Sequence, residues 1–299
     1  MAGLSARPVS APHTAWWPAL ALMLNAFTWG VSWWPFRQLQ ALGLHPLWAT
    51  VLIYAVAVVA ITLWRPGAWL ELARTRTLWL LVLAAGTTNA TFNWAVTVGD
   101  VVRVVLLFYL MPLWAVLLAR LLLHEAMTRA ALLRVALALL GAAVVLWPEQ
   151  GGLPLPHTLA EWLAVLGGFS FALNNVLLRR EAHQPEAARA LAMFLGGAAV
   201  AGVLASALSA QGTVPLPPAP AAAWIAGALA MAAAFLVGNM ALQYGAARLP
   251  ANVTAVVMIT EVLFASGSAV LLGAGTLTAP LLLGGALIVG ATLLSARAR

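Results

Sequence analysis

Apolar runs of about twenty residues dominate the chain, and short polar breaks separate them. Ten such runs occur, at 16–34, 46–63, 78–98, 101–122, 130–147, 160–178, 190–209, 222–244, 252–272 and 279–295. A helix needs roughly 20 predominantly apolar residues to cross the hydrocarbon core of a bilayer. Helices suit that solvent because they satisfy their own backbone N–H and C=O groups. Each run therefore predicts one membrane-spanning helix, and the expected fold class is an all-α membrane protein of ten transmembrane helices. The breaks at 148–157 and 211–221 are proline-rich and contain no arginine. The first run is long for a secretory signal and follows a segment with the single basic residue Arg7, so it reads as a first span.

Composition agrees with this pattern. Apolar residues make up 64% of the chain, charged residues 8%, and the mean hydropathy is +0.97. A soluble domain carries about 25% charged residues. The chain has no cysteine, which removes disulfides, thiolate ligands and a cysteine nucleophile. Histidines at 13, 45, 124, 157 and 183 are too dispersed for a metal set, so neither metal nor cofactor is expected. The net charge of +7 and pI near 11.4 raise the question of nucleic acid. Every basic residue is arginine, however, and none forms a dense run, which argues against a nucleic-acid partner. The expected partners are the bilayer and a small-molecule solute; nothing requires an oligomer.

The arginines order the topology. With residues 1–15 inside, the inside segments hold Arg7, Arg65, Arg74, Arg76, Arg120, Arg129, Arg134, Arg179, Arg180, Arg189, Arg248, Arg297 and Arg299, thirteen in all. The outside segments hold Arg37 and Arg103. Such a bias predicts a multi-pass protein of the inner (plasma) membrane, with the 1–15 segment and the 296–299 tail both cytoplasmic.

An internal repeat is superimposed on this pattern. A shift of 149 places Leu140-Gly141-Ala142 on Val289-Gly290-Ala291. A shift of 142 places Phe27-Thr28-Trp29 on Phe169-Ser170-Phe171, and a shift of 150 places Asn89 on Asn239, Asn93 on Gln243 and Trp94 on Tyr244. The expected organisation is two five-helix repeats, 16–147 and 160–295, joined by a periplasmic linker at 148–159. An odd number of helices per repeat makes the copies antiparallel, related by an axis in the membrane plane.

Polar residues at membrane depth are costly, and they cluster on particular helices. Asn25, Trp29 and Ser32 share one face of the first run. Asn89 and Asn93 share a face of the third, Ser170 and Asn174 of the sixth, and Asn239 and Gln243 of the eighth. The second, fifth, seventh and tenth runs have almost no such residues and are rich in Leu, Val, Ala and Gly. The simplest arrangement puts runs 1, 3, 6 and 8 around a polar centre, with runs 2, 5, 7 and 10 facing lipid. Tyr109 and Pro112 in the fourth run, and Thr254, Met258 and Glu261 in the ninth, complete the lining, with Pro112 also a kink suited to gating. Each amide has an alternative use as hydrogen-bonded glue between helices. Glu261 has three: a protonated acid, a partner for a substrate ammonium group, or an ion pair with Arg103 or Arg120. Asp100 and Glu125 fall at helix ends and read as capping or solvated groups.

Two five-helix halves, with the stretch GDVVRVVLLFYLMPLWAVLLARLLLHE from Gly99 to Glu125, resemble the EamA family of the drug/metabolite transporter superfamily. Pro112 and Glu125 match that family's pattern. In the second half Glu261 falls where Pro112 would, and Ala274 where Glu125 would, which departs from it. Within the family the chain looks most like the YddG-type aromatic amino-acid exporters. The resemblance implies ten helices with inward termini, a central cavity and export of small organic metabolites by alternating access. Amides, an aromatic pair and one carboxylate suit an aromatic or large apolar amino acid. Another metabolite or a drug-like cation is the alternative. No lysine occurs and no arginine sits at a span centre, which disfavours a phosphorylated solute. A membrane-embedded enzyme needs a nucleophile–base set at depth, which the sequence lacks; a receptor does not need inverted symmetry.

The absence of cysteine makes the topology directly testable. Single cysteines placed in 148–159 or 210–221 should react with an impermeant thiol reagent in whole cells. Labelling at Ala130 but not at Gly212 overturns the orientation.

Overall fold

A computed structural model of the chain describes residues 16–122, 128–147, 153–246, 248 and 257–297, apart from the side chains of Pro112, Ala119, Arg179, Gln243, Ala246, Thr292 and 295–297. Thr254, Glu125 and both termini lie outside the described residues, as do the side chains of Pro112 and Gln243. The described residues form helices and no strands. In chain order these are α1 (Trp16–Val31), α2 (Trp33–Ala41), α3 (Pro46–Trp64), α4 (Ala68–Arg74), α5 (Arg76–Val98), α6 (Val101–Phe108), α7 (Met111–Leu122), α8 (Arg129–Leu146), α9 (Leu159–Arg180), α10 (Glu186–Ala210), α11 (Ala222–Ala246), α12 (Thr260–Leu271) and α13 (Ala279–Arg297). Six stretches are long and apolar enough to cross a membrane: Pro46–Trp64, Val101–Leu122, Arg129–Leu146, Leu159–Leu178, Glu186–Ala210 and Ala222–Leu242. Thr260–Leu271 and Ala279–Ala291 are shorter apolar helices.

The helices differ from the apolar runs in three places. The first run does not end near Trp34. It bends at Ser32, whose hydroxyl donates to the Trp29 carbonyl at 2.8 Å, and continues as α2 to Ala41. Arg37 is therefore a helix residue, and its guanidinium donates to the Val96 and Gly99 carbonyls at the end of α5. The break after α3 contains a helix of its own, α4. The fourth run is interrupted at Tyr109–Leu110, between α6 and α7.

That interruption has a chemical cause. Pro112 has no N–H to give to the carbonyl of Phe108, four residues earlier. The freed carbonyl points at Gly168 of α9, where a Cβ would collide with it. Glycine at 168 is what lets the broken helix lie against α9.

Lipid offers no hydrophobic drive for helices to associate, so close packing has to supply it. α5 contacts α3, α9 and α10 and has buried residues along its whole length from Leu78 to Thr97. It crosses α10 at Gly86 and Gly196, where a Cβ on Gly196 would strike the Val82 carbonyl and the Gly86 nitrogen. α8 and α13 approach in the same way at Gly141 and Gly284. Two apolar clusters result. One gathers α6 with parts of α5, α8, α9, α12 and α13; the other gathers α2, α3, the first half of α5, α10 and α11. Trp29 of α1 packs against both.

Overpacking a close crossing costs about 1–3 kcal/mol. Gly196→Ala should therefore lower the melting temperature of detergent-purified protein, whereas Gly267→Ala, with nothing within 4 Å of the new methyl group, should not. Equal melting temperatures for the two variants would remove the crossing from the account.

Candidate functional site

Where the two clusters meet around α1, the packing leaves a cavity of about 110 Å³. α1 contributes Asn25 and Trp29, α5 contributes Thr88, Asn89 and Phe92, and α6 its last residue, Phe108. α9 contributes Phe171 and Asn174, α11 contributes Phe235 and Asn239, and Met258 and Glu261 close the remaining side. The helical periodicity of the amides puts them on inward faces, because i and i+4 positions share a face.

Seven of the lining residues are aromatic. Trp29 stacks on Phe235 with centroids 4.6 Å apart, and Phe235 lies 5.9 Å from Tyr54. On the other side Phe108 lies 4.7 Å from Phe92 and 5.3 Å from Phe171. Tyr54 and Phe194 also line the cavity, although α3 and α10 are the second and seventh runs, expected to face only lipid. That expectation is corrected: α3 and α10 each turn one face to lipid and one aromatic residue inward. The signal available in the sequence was Tyr54, a hydroxyl-bearing ring in mid-span with a need for a partner. The phenylalanines carried no such signal.

The polar atoms of the wall divide by role. The Tyr54 hydroxyl donates to Asn89 Oδ1 at 2.7 Å, and Asn89 Nδ2 donates to the Ala85 carbonyl at 2.8 Å. The Thr88 hydroxyl donates to the Ala84 carbonyl, and Asn25 Nδ2 reaches the Met258 sulfur at 3.7 Å. Those donors are engaged within the protein. Asn25 Oδ1 and Asn174 Oδ1 are not: both are buried acceptors without a partner among the described residues, in residues only 1% and 2% exposed. Glu261, 9% exposed, accepts from the Tyr109 hydroxyl at 3.1 Å. Gly30 keeps α1 close enough to hold this region, since a Cβ there would meet the Glu261 carbonyl and the Phe264 Cβ.

Three expected wall residues sit elsewhere. Tyr109 stands behind Glu261 and positions it. Ser32 serves the bend between α1 and α2. Asn93 is fully buried between α5 and α3, where its Nδ2 donates to Thr50 Oγ1 at 3.1 Å, so it acts as glue. Arg103 does not pair with Glu261; its Nε lies 2.6 Å from Glu161, which also accepts from the backbone of His157 and Thr158 in a capping box at the start of α9. Asp100 caps α6 by accepting from the Arg103 N–H, and its second oxygen accepts from Thr276 N–H. These contacts tie α6, α9 and the α12–α13 connection together at the arginine-poor end.

Comparison with known proteins adds a family signal. Residues 16–147 match the EamA-like transporter family. Over 127 residues the chain is 31% identical to the uncharacterized transporter PA0485 of Pseudomonas aeruginosa, an alignment covering 41% of this chain and 40% of that protein. The chain thus aligns with about two fifths of the length of this curated relative. A solved structure described only as "Crystal structure of protein" superposes with a TM-score of 0.56 over 93% of this chain and 96% of that one. At 18% identity this likeness concerns the fold alone. Together with the apolar helices, these similarities support a multi-pass membrane protein of transporter type.

A buried acceptor that loses its donor costs about 1–3 kcal/mol. Tyr54→Phe should accordingly lower the melting temperature by stranding Asn89 Oδ1, and Asn93→Ala should lower it by loosening α5 from α3. A melting temperature unchanged in both variants would show that these bonds do not hold the wall.

Proposed function

We propose that this protein exports small organic metabolites, with aromatic or large apolar amino acids as the main substrate class. In this reading ten helices span the inner membrane as two inverted repeats, 16–147 and 160–295, with both termini cytoplasmic. The repeats rearrange around a solute held near the midplane, so that the cavity faces each side in turn. The ties of Arg103 to Glu161 and of Asp100 to Thr276 are those that part when the arginine-poor side opens.

One observation carries the substrate class: the cavity combines stacked aromatic walls with two buried acceptors, Asn25 Oδ1 and Asn174 Oδ1, that have no donor among the described residues. With the Glu261 carboxylate, which Tyr109 holds in place, they suit a solute that brings N–H groups. No arginine, lysine or histidine lines the described wall. An ammonium group meets these needs, and an aromatic body stacks on the rings for about 0.5–1.5 kcal/mol beyond area burial. The same acceptors favour a second reading, an apolar amine without a carboxylate, held also by cation–π contact.

Counterflow in proteoliposomes tests this. Purified protein preloaded with phenylalanine should take up labelled phenylalanine or tryptophan. A hydrogen bond to a charged group contributes about 1.5–3 kcal/mol, so Asn25→Ala and Asn174→Ala should each weaken exchange about tenfold or more. Glu261→Gln should abolish it; retained exchange assigns Glu261 to proton coupling instead. Exchange of aromatic amines without exchange of amino acids selects the second reading. Exchange of phosphate esters alone sinks both.

A further inference from the structure

We propose that a groove between α3, α10 and α11, at the arginine-rich end, binds an anionic phospholipid. The groove is larger than the central cavity, about 880 Å³. Its mouth carries Arg65, at the C-terminal cap of α3, and Arg248, just beyond α11. Next to each stands an aromatic ring. The Arg65 guanidinium lies 5.2 Å from the Trp64 ring centroid, and that of Arg248 lies 3.9 Å from the Tyr244 ring while also donating to the Tyr244 carbonyl. Neither guanidinium has a carboxylate within ion-pair distance among the described residues. Beyond the mouth the groove is apolar, walled by Ala60, Ile61, Ala190, Leu236 and Met240.

Two features in one place select the occupant. A free aqueous anion has no use for an apolar trough, and a purely apolar solute has none for two open guanidiniums. An amphiphile with an anionic end uses both. Trp and Tyr concentrate at the level of lipid headgroups, which sets Arg65 and Arg248 at phosphate depth. From Tyr244 to Leu236 the trough runs about 12 Å at 1.5 Å per residue, so it accepts the upper part of an acyl chain. Basic pockets between helices at the cytoplasmic face are suited to anionic headgroups, and a planar guanidinium grips a phosphate with two bonds. Glu186 shares the mouth, so the two arginines leave one net positive charge, which favours a net-negative lipid over a zwitterionic one.

The deep end has a further consequence. Phe194 and Asn239 wall this groove and the central cavity alike. An acyl chain in the trough supports the far side of the cavity wall, so lipid occupancy and cavity shape are linked.

The test needs no transport substrate, so its failure leaves the transport reading untouched, and the reverse. Protein purified in mild detergent is titrated with phosphatidylglycerol, phosphatidylcholine or inorganic phosphate, and followed by native mass spectrometry and thermal melting. Phosphatidylglycerol adducts should survive activation that strips phosphatidylcholine, and only phosphatidylglycerol should raise the melting temperature. Arg65→Gln with Arg248→Gln should reduce that preference at least tenfold without changing the lipid-free melting temperature. Met240→Trp keeps both guanidiniums and fills the trough, and it should also lose the adduct. The proposal is overturned if the double variant keeps the preference, if phosphatidylcholine stabilises equally, if inorganic phosphate alone gives the shift, or if Met240→Trp binds as the parent does.

Discussion

Inside a bilayer no water is present to answer a broken backbone hydrogen bond, so every interruption of a helix must be met by a neighbour. The interruption between α6 and α7 is where this constraint shapes the whole centre of the protein. Pro112 frees the Phe108 carbonyl, and Gly168 on α9 makes room for it. The same turn carries Phe108 into the cavity wall and Tyr109 to the Glu261 carboxylate. A backbone defect, a close helix contact, an aromatic wall and the placement of the acid are one connected event.

Around that centre the polar groups are sorted by what they can still do. Tyr54, Thr88 and Asn89 use their donors on carbonyl oxygens nearby, which stiffens the wall. Among the described residues of this wall, the buried atoms left without a partner are two acceptors, Asn25 Oδ1 and Asn174 Oδ1. Burial sharpens that bias, since an unmet acceptor in low dielectric is costly and a matched one is strong.

The sequence exposed the parts of this design that conflict with lipid. Asparagine and glutamate in apolar runs stand out because their burial is expensive, and Asn25, Asn89, Asn174, Asn239 and Glu261 do meet at one cavity. It could not separate Asn93 from that group, since an amide that joins two helices and one that faces a cavity share the same spacing. Phe92, Phe108, Phe171, Phe194 and Phe235 were hidden for the opposite reason: a phenylalanine suits a lipid face as well as a cavity wall. Helix extents were blurred where an amphipathic helix such as α2 or α4 follows a span, because neither is apolar enough to count as one. Arg37 looked like a loop charge for that reason, yet it neutralises carbonyls at the end of α5.

Trp29 belongs to both apolar clusters at once, and its indole lies flat on Phe235. Packed interiors do not deform smoothly; they hold one arrangement or shift to another. A substitution at this one ring is therefore felt by both clusters at once, and the packing of each reaches the cavity wall through the same indole.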